Sequence, residues 1–596
     1  MILIFGGTTE GRKAVAVCEE AGKSFYYSTK GDSQKVELVN GIHITGGMDD
    51  KQILSFCKEN NIRLIVDAAH PFAEALHLNI ALMSGISGIP VIRYERSYTQ
   101  QSKDLLWFDS YDEAITWLEK NNINNLLALT GVNTVSKLKH YWKKHPCWFR
   151  ILNREESREI IRHEQFPADK VLYFGEKDDD TSLFRQLNPE AVLIKESGDS
   201  GGFNEKVKAA RTLGIPLLVV KRPLLSPSFI PVYGENGLRK QIERLLPGFF
   251  ALRTGYTTGT CATAATKAAL IALLTGKEQT TIDIALPGGE LINLPVFTTT
   301  IEVGKVSCSV LKDAGDDPDV TNGQEVISTV QLNTNHNEVR FQQGKGVGIV
   351  TLPGLGLSIG EPAINETPRR MIVKEITDIY TETGVDVTIS VPKGEELARK
   401  TFNPKLGITG GISIIGTSGI VKPFSSEAFA ASIRREMQVA KALGCEHIVI
   451  NSGAKSERFI KQQYPLLPPQ AFIHYGNFIG ETIKIASCLD FKQLTMGIMI
   501  GKAVKLAEGH LDTHSKKVTM NRDFLVGIAL DGGCQEKTIN AIRDVNMARQ
   551  LWEIIPKTES LFFSLIMQRC SDVCKPLFPN GIFDVLLVDE NGEIFK

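Results

Sequence analysis

Short apolar runs, each cut off by a glycine or a polar residue, recur through the first 245 residues and leave few folds open. The runs are MILIF (1–5), IRLIVDAAHP (62–71), NLLALTG (125–131), AVLIKESG (191–198) and IPLLVVKRP (215–223). Helical patterns lie between several of them. Unbroken apolar runs of this length suit strands buried on both faces, and their alternation with helices predicts a parallel α/β sheet. Such sheets bind ligands beyond the carboxyl ends of their strands. The polar residues at those ends are Thr8, Thr9, Asp67, His70, Thr130, Lys195, Glu196, Ser197 and Arg222. A plainer reading of Asp67 and His70 is that they cap the helix that follows Pro71.

The first run meets Gly6-Gly7-Thr8-Thr9-Glu10-Gly11 and then a helical pattern closed by Gly22. Strand, glycine turn and helix open a dinucleotide-binding unit, in which backbone N–H groups approach a pyrophosphate. The spacing is not G-x-G-x-x-G, so a plain tight turn stays open beside it. Gly6, Gly7, Thr8, Thr9 and Glu10 are the cofactor-binding candidates. After the second strand stand Ser28, Thr29 and Lys30 rather than an acid, which leans towards tolerance of a 2′-phosphate and leaves NADH against NADPH open.

At Pro247-Gly248 the pattern breaks, and RTGYTTGTCATAATKAAL (253–270) starts a new unit. The expected organisation is two Rossmann-like lobes, about 1–97 and 98–246, a linker at 247–252, and a separate mixed α/β (α+β) unit over 253–596. The helix from about Cys261 to Thr275 carries alanine on all faces, so it is expected to be buried, with Thr257, Thr258 or Thr260 capping its start. Gly255, Thr257, Thr258, Gly259 and Thr260 form a phosphate-style loop without the lysine of a P-loop. The stretch 311–323 holds Asp313, Asp316, Asp317 and Asp319, with a solvated acidic turn as the competing reading; Gln324 excludes a calcium loop. Glycines crowd 344–371 and 403–425, and Gly410, Gly411, Gly416 and Thr417 suggest close approach to a bulky ligand.

A formal net charge of -1 gives no polyanion-binding signature, so nucleic acid is not expected as a partner. Ten scattered cysteines include one close pair, Cys570 and Cys574, too few for a zinc site. His510 and His514 lack the glutamate of H-E-x-x-H, and no protein metal site is expected. The N-terminus has no basic region before its apolar run, and no apolar run approaches the roughly 18 residues of a membrane span. The chain reads as cytoplasmic, reduced and not membrane-bound.

Two resemblances follow from the motifs in order. ILIFGGTTEGR, DAAHPFA (67–73), RYER (93–96), KESGDSGGFNEKVKAA (195–210) and VVKRP (219–223) resemble the precorrin-6A reductases over residues 1–245. GYTTGTCATAATKAA, DAGDDPDVTNG, GEPAIN, PRRMI, LGITGGISIIGTSGIV, GNFIG and GK…KLAEG…THS resemble the cobalt-precorrin-5B C1-methyltransferases from 253 to about 520. The stretch NETPRRM departs from the more proline-rich sequence usual there. The resemblance implies a bifunctional enzyme of anaerobic cobalamin synthesis, with S-adenosylmethionine and a reduced nicotinamide as cofactors and cobalt-corrinoid tetrapyrroles as substrates. The methylated product of one half is then the substrate of the other.

For a polycarboxylate ring, Arg93, Arg96, Lys195, Ser197 and Arg222 are expected to hold substrate in the reductase, and Arg369, Arg370 and Lys505 in the methyltransferase. His70 is the expected proton donor, and Asp316 and Asp317 are expected beside a cationic sulfonium. Competing readings are a reductase–methyltransferase fusion acting on an unrelated small molecule, and a non-catalytic nucleotide sensor. A homo-oligomer is left open.

Overall fold

The computed structural model of the chain describes residues 1–596 apart from 32–35, 97, 99–101, 103, 176–178, 199–200, 515–517 and 596. Asp199, Ser200 and Ser515 of the motifs above therefore lie outside the described residues. The chain divides into two compact units, Met1–Arg253 with Gly288–Ile292, and Thr254–Pro287 with Asn293–Lys596.

The first unit contains two six-stranded parallel sheets. One is built from β1 (Ile2–Phe5), β2 (Phe25–Thr29), β3 (Gly41–Thr45), β4 (Leu64–Asp67) and β5 (Val91–Glu95). The other is built from β6 (Leu106–Phe108), β7 (Leu126–Ala128), β8 (Cys147–Ile151), β9 (Val171–Tyr173), β10 (Ala191–Lys195) and β11 (Leu217–Val220). The last strand, β12 (Ile230–Tyr233), returns to the first sheet, giving the orders β12-β5-β4-β1-β2-β3 and β6-β11-β10-β7-β8-β9. The first is the doubly wound order, in which connections reverse direction between β1 and β4. In the second the reversal falls between β7 and β10. The apolar runs behave as their composition requires: β1, β4 and β11 are buried along their whole length.

The return of β12 corrects the expected lobe limits, since residues 98–246 do not stay together. Ile230 pairs in parallel with Ile92 at the edge of the first sheet. The helix Gly234–Leu245 then buries Leu238 and Ile242 in that sheet's core, with Val15 and Val66. Amphipathic periodicity demands an apolar surface but does not say whose.

In the second unit the alanine-rich helix Thr258–Thr275 lies buried against a five-stranded sheet. Strands 298–302, 305–311, 325–333 and 384–390 run antiparallel in that order, and 339–343 joins the edge in parallel. Small side chains let the helix approach closely enough for Thr266 Oγ1 to meet Ser328 Oγ at 2.7 Å. A second sheet orders strands 472–474, 447–451, 493–499 and 582–588 in parallel, with 594–595 antiparallel at its edge. Its helices and strands enclose a single large apolar core, from Ile433 to Val588.

The glycine-rich stretches 344–371 and 403–425 fold onto one another. Residues 349–350 pair with 408–409, and isolated bridges join Val347 to Ile412 and Ile364 to Ile414. A Cβ on Gly411 would stand 2.2 Å from the carbonyl oxygen of Gly346. This glycine is needed for backbone to meet backbone, not for a ligand's approach.

Candidate functional site

In the first unit the glycine loop sits at the reversal point of the first sheet. Thr8 caps the helix Thr9–Glu19 by accepting from Gly11 N–H at 3.0 Å, and its Oγ1 donates to the Ala68 carbonyl beyond β4 at 2.7 Å. Gly6 lies against Tyr27, whose ring would be 2.2 Å from an added Cβ; Gly7, at φ +89°, faces open space. Gly7 also donates its N–H to the Tyr27 hydroxyl at 3.1 Å, so the turn is held on a rigid support at the end of β1 and ahead of a helix, a place that suits a dinucleotide pyrophosphate.

Beside it, Asp67 is fully buried and receives His77 Nδ1 at 2.8 Å and Arg93 at 3.0 Å. Burial alone would raise the Asp67 carboxyl, but the His77 hydrogen bond and the Arg93 charge outweigh it and hold the group below its ordinary value. Arg93 also donates to the carbonyls of Asp67 and Ala69 and approaches Glu95 at 3.4 Å. With 1% of its surface exposed, Arg93 cannot clamp a substrate carboxylate, contrary to expectation. Arg96 is also occupied: it pairs with Glu10 at 2.9 Å and donates to the Ser197 carbonyl at 2.7 Å. It is a strut from the dinucleotide loop to the second sheet, and it engages Glu10 rather than leaving it for a ribose. Ser197 Oγ donates to the Gly201 carbonyl.

Three expected residues remain at the crevice. His70 is accessible to solvent, and its Nδ1 accepts the Phe72 N–H at 3.2 Å, which places the proton of the neutral ring on Nε2. Desolvation by the protein packed around the ring, then the charges of Arg96, Lys195 and Arg93, press its pKa down to about 4. Lys195 ends β10 at the reversal point of the second sheet, with Nζ 5.0 Å from the Phe72 ring centre. Burial, and then the Lys137 charge, lower it to about 8. Arg222 stacks over Tyr98 at 3.5 Å and stands 3.9 Å from Glu95. A cavity of about 460 Å³ opens beyond β6 and β11, lined by Phe72, Glu74, Asp109, Tyr111, Lys137 and Lys221 among others. Of these, Phe72 lies in DAAHPFA and Lys221 in VVKRP; Tyr111 and Lys137 come from two separate segments that no motif marks.

The second unit treats its motifs differently. Thr260 Oγ1 donates to the Gly419 carbonyl at 2.7 Å, Gly259 N–H to the Ile415 carbonyl at 2.9 Å, and Thr258 Oγ1 accepts from Ile415 N–H at 2.9 Å. Thr257 caps the helix, and Gly416 presses against it so closely that a Cβ would stand 2.3 Å from its hydroxyl. A Cβ on Gly255 would strike the Ala314 backbone. Gly255, Thr257, Thr258, Gly259, Thr260, Gly411 and Gly416 therefore form a buried joint between chain segments rather than the expected cofactor cradle. At the helix N-terminus the Gly259 N–H thus meets the Ile415 carbonyl and the Thr260 N–H the Thr257 hydroxyl.

Asp317 accepts the Phe424 N–H at 3.1 Å, and the fully buried Lys312 pairs with Asp319 at 2.7 Å. Arg369 is tied to the carbonyls of Ile364 and Pro362 and to Glu361, so it braces the loop before its own helix. Lys505 donates to the Thr513 carbonyl at 3.4 Å. Asp316, Gly410, Thr417 and Arg370 stay exposed, and Arg370 has no partner among the described residues.

Fold and crevice together define a two-lobed protein of the dinucleotide-binding type, followed by a second α/β unit. Residues 1–243 match the family described as precorrin-6x reductase CbiJ/CobK, residues 248–423 the family CbiD, and residues 512–596 the CbiD C-terminal domain. The chain is 44% identical over 324 residues to a cobalt-precorrin-5B C(1)-methyltransferase of Geobacillus thermodenitrificans, covering 54% of this chain and 87% of that one. Against the corresponding protein of Prosthecochloris aestuarii it is 44% identical over 345 residues, covering 56% and 94%. A solved CobK precorrin-6A reductase aligns with 19% identity over 41% of this chain and 97% of that chain, at a TM-score of 0.34. The chain belongs to the cobalt-precorrin-5B C(1)-methyltransferase family and carries in front of it a domain of the precorrin-6x reductase type. It is a bifunctional enzyme of cobalamin biosynthesis, an oxidoreductase joined to a methyltransferase.

Proposed function

We propose that the second unit methylates C1 of cobalt-precorrin-5B and that the first unit reduces the product, cobalt-precorrin-6A, with a nicotinamide. The observation that carries this reading is the succession of two family matches, 1–243 and 248–423, for chemically consecutive steps on one chain. The alternatives, an unrelated small-molecule substrate and a nucleotide sensor, have no observation in their favour.

In the reductase, Gly6 to Thr9 would hold the dinucleotide, which supplies hydride when bound. The chain's own task is to orient the acceptor ring and to provide a proton. His70, held neutral by its surroundings, serves as a hydrogen-bond donor through Nε2 rather than as the proton source expected of it. Lys195 takes that role: with a pKa of about 8 it is protonated at neutral pH yet acidic enough to release a proton. Lys137, Lys221 and Arg222 supply positive charge for ring carboxylates. At the end of β2, Ser28 and Thr29 are buried, and the Thr29 hydroxyl is taken by Gly31 and His43, leaving Lys30 to favour a 2′-phosphate. NADPH is therefore the proposed reductant.

In the methyltransferase, S-adenosylmethionine supplies an electrophilic methyl, and the protein's work is alignment. The exposed Arg370 is the residue placed to meet a substrate carboxylate. Incubating the chain with cobalt-precorrin-5B, S-adenosylmethionine and NADPH should add one methyl and then two hydrogens by mass. Methylation without reduction excludes the reductase half, and no mass change excludes both.

A further inference from the structure

The carboxyl edge of the second unit's parallel sheet holds a cavity of about 600 Å³, outside every motif considered above. It lies beside the turn 589–593, which follows the strand Ile582–Val588. Parallel sheets bind ligands at this edge, and the volume falls within the roughly 300–1,000 Å³ of small-molecule sites.

Its lining is specific. Trp552 stacks on Phe563 at 4.3 Å and on Phe595 at 5.1 Å. Those two rings are only 5.7 Å apart, so they share one face of the indole and leave the other outside the stack. The indole Nε1–H is enclosed and has no hydrogen-bond partner among the described residues.

Charge then narrows the guest. The cavity is lined by Glu553, Asp589, Glu590 and Glu593 against Arg549 and Lys557. Asp589 is engaged by the N–H groups of Asn591 and Glu593, and Glu590 pairs with Lys455. Glu553 and Glu593 are exposed and have no ion-pair partner among the described residues. Such a rim attracts a cation and repels a polycarboxylate ring.

We propose that this cavity is the binding site for S-adenosylmethionine, with the aromatic floor taking the purine and Glu553 and Glu593 facing the cationic sulfonium end. The site is thus separate from the glycine–threonine joint at 255–260, whose polar groups are already bonded. This inference rests on the methyltransferase reading of the second unit.

The test is calorimetric titration of the full chain with S-adenosylmethionine and with its uncharged sulfide, S-adenosylhomocysteine. Trp552, the only tryptophan after residue 148, gives a second, optical readout of binding. Replacing both carboxylates (Glu553→Gln with Glu593→Gln) should weaken the sulfonium ligand about tenfold and the sulfide by less than about threefold. Ser560→Tyr, at an exposed position of the wall, should weaken both ligands together. Unchanged affinities in both variants, with the unaltered chain binding and methylating, overturn the location alone. An unaltered chain that neither binds the donor nor methylates overturns the methyltransferase reading and this inference with it.

Discussion

Replacing Arg93 by methionine separates a structural arginine from a substrate clamp. Its side chain is 2% exposed beside an Asp67 that is 0% exposed, at 3.0 Å. The substitution leaves that carboxylate with His77 and the Ala69 N–H but no cationic arginine, and strips a donor from the carbonyls of Asp67 and Ala69. Removing one partner of a buried ion pair costs about 3–5 kcal/mol. At about 2–4 °C per kcal/mol for a unit of this size, the expected fall in Tm is about 6–20 °C. Four of the five tryptophans lie at residues 107–148, so fluorescence-monitored melting follows the first unit.

The deficit should depend on pH. Asp67 is held below its ordinary value, so its contribution is complete above the unfolded carboxyl's pKa and is lost as pH falls through the folded one. The gap between the two proteins should therefore be widest near neutrality and close in acid. A variant that melts within about 1 °C of the parent, while its KM for the corrinoid rises severalfold, would show that Arg93 binds substrate and that the buried-network argument is wrong.

Other perturbations bear on other parts of the chain. Reduction should slow as pH rises through about 8, and Lys195→Met should lower turnover and abolish that limb; a limb retained by the variant assigns the proton to another group. Lys30→Asp should raise KM for NADPH but not for NADH, and equal changes for both would remove Lys30 from cofactor choice. Thr260→Val should destabilise the second unit by about 1–3 kcal/mol in denaturant titration, through the orphaned Gly419 carbonyl, without altering S-adenosylmethionine affinity. A large loss of affinity at unchanged stability would restore the glycine–threonine loop as a cofactor site.

Much of this molecule is legible in its one-dimensional pattern because the relevant physics is local. Five apolar residues before Gly6 can only be a buried strand, and β1, β4 and β11 are such strands. The alanine-rich helix and its cap at Thr257 follow from propensity and from a hydroxyl placed to accept the Thr260 N–H. The two enzyme classes were legible for the same reason, since their motifs lie on short, contiguous segments.

What each polar group touches was not legible, because that depends on chain segments brought together from far apart. Arg93 and Arg96 carry equal charge three residues apart, yet β5 turns one into the Asp67 network and lets the other brace Glu10 and Ser197. The glycines of 403–425 announce close approach but not to what, and the answer is other parts of the chain: the Gly346 backbone for Gly411, Thr257 for Gly416 and Leu286 for Gly419. The cavity beside Trp552 has no motif at all, its wall being drawn from residues 549–563 and 589–595. Sequence by itself determined the elements and the two chemistries. Only the tertiary structure decided which charges are spent inside the protein and which are left for a ligand, because burial and pairing are properties of contacts rather than of residues.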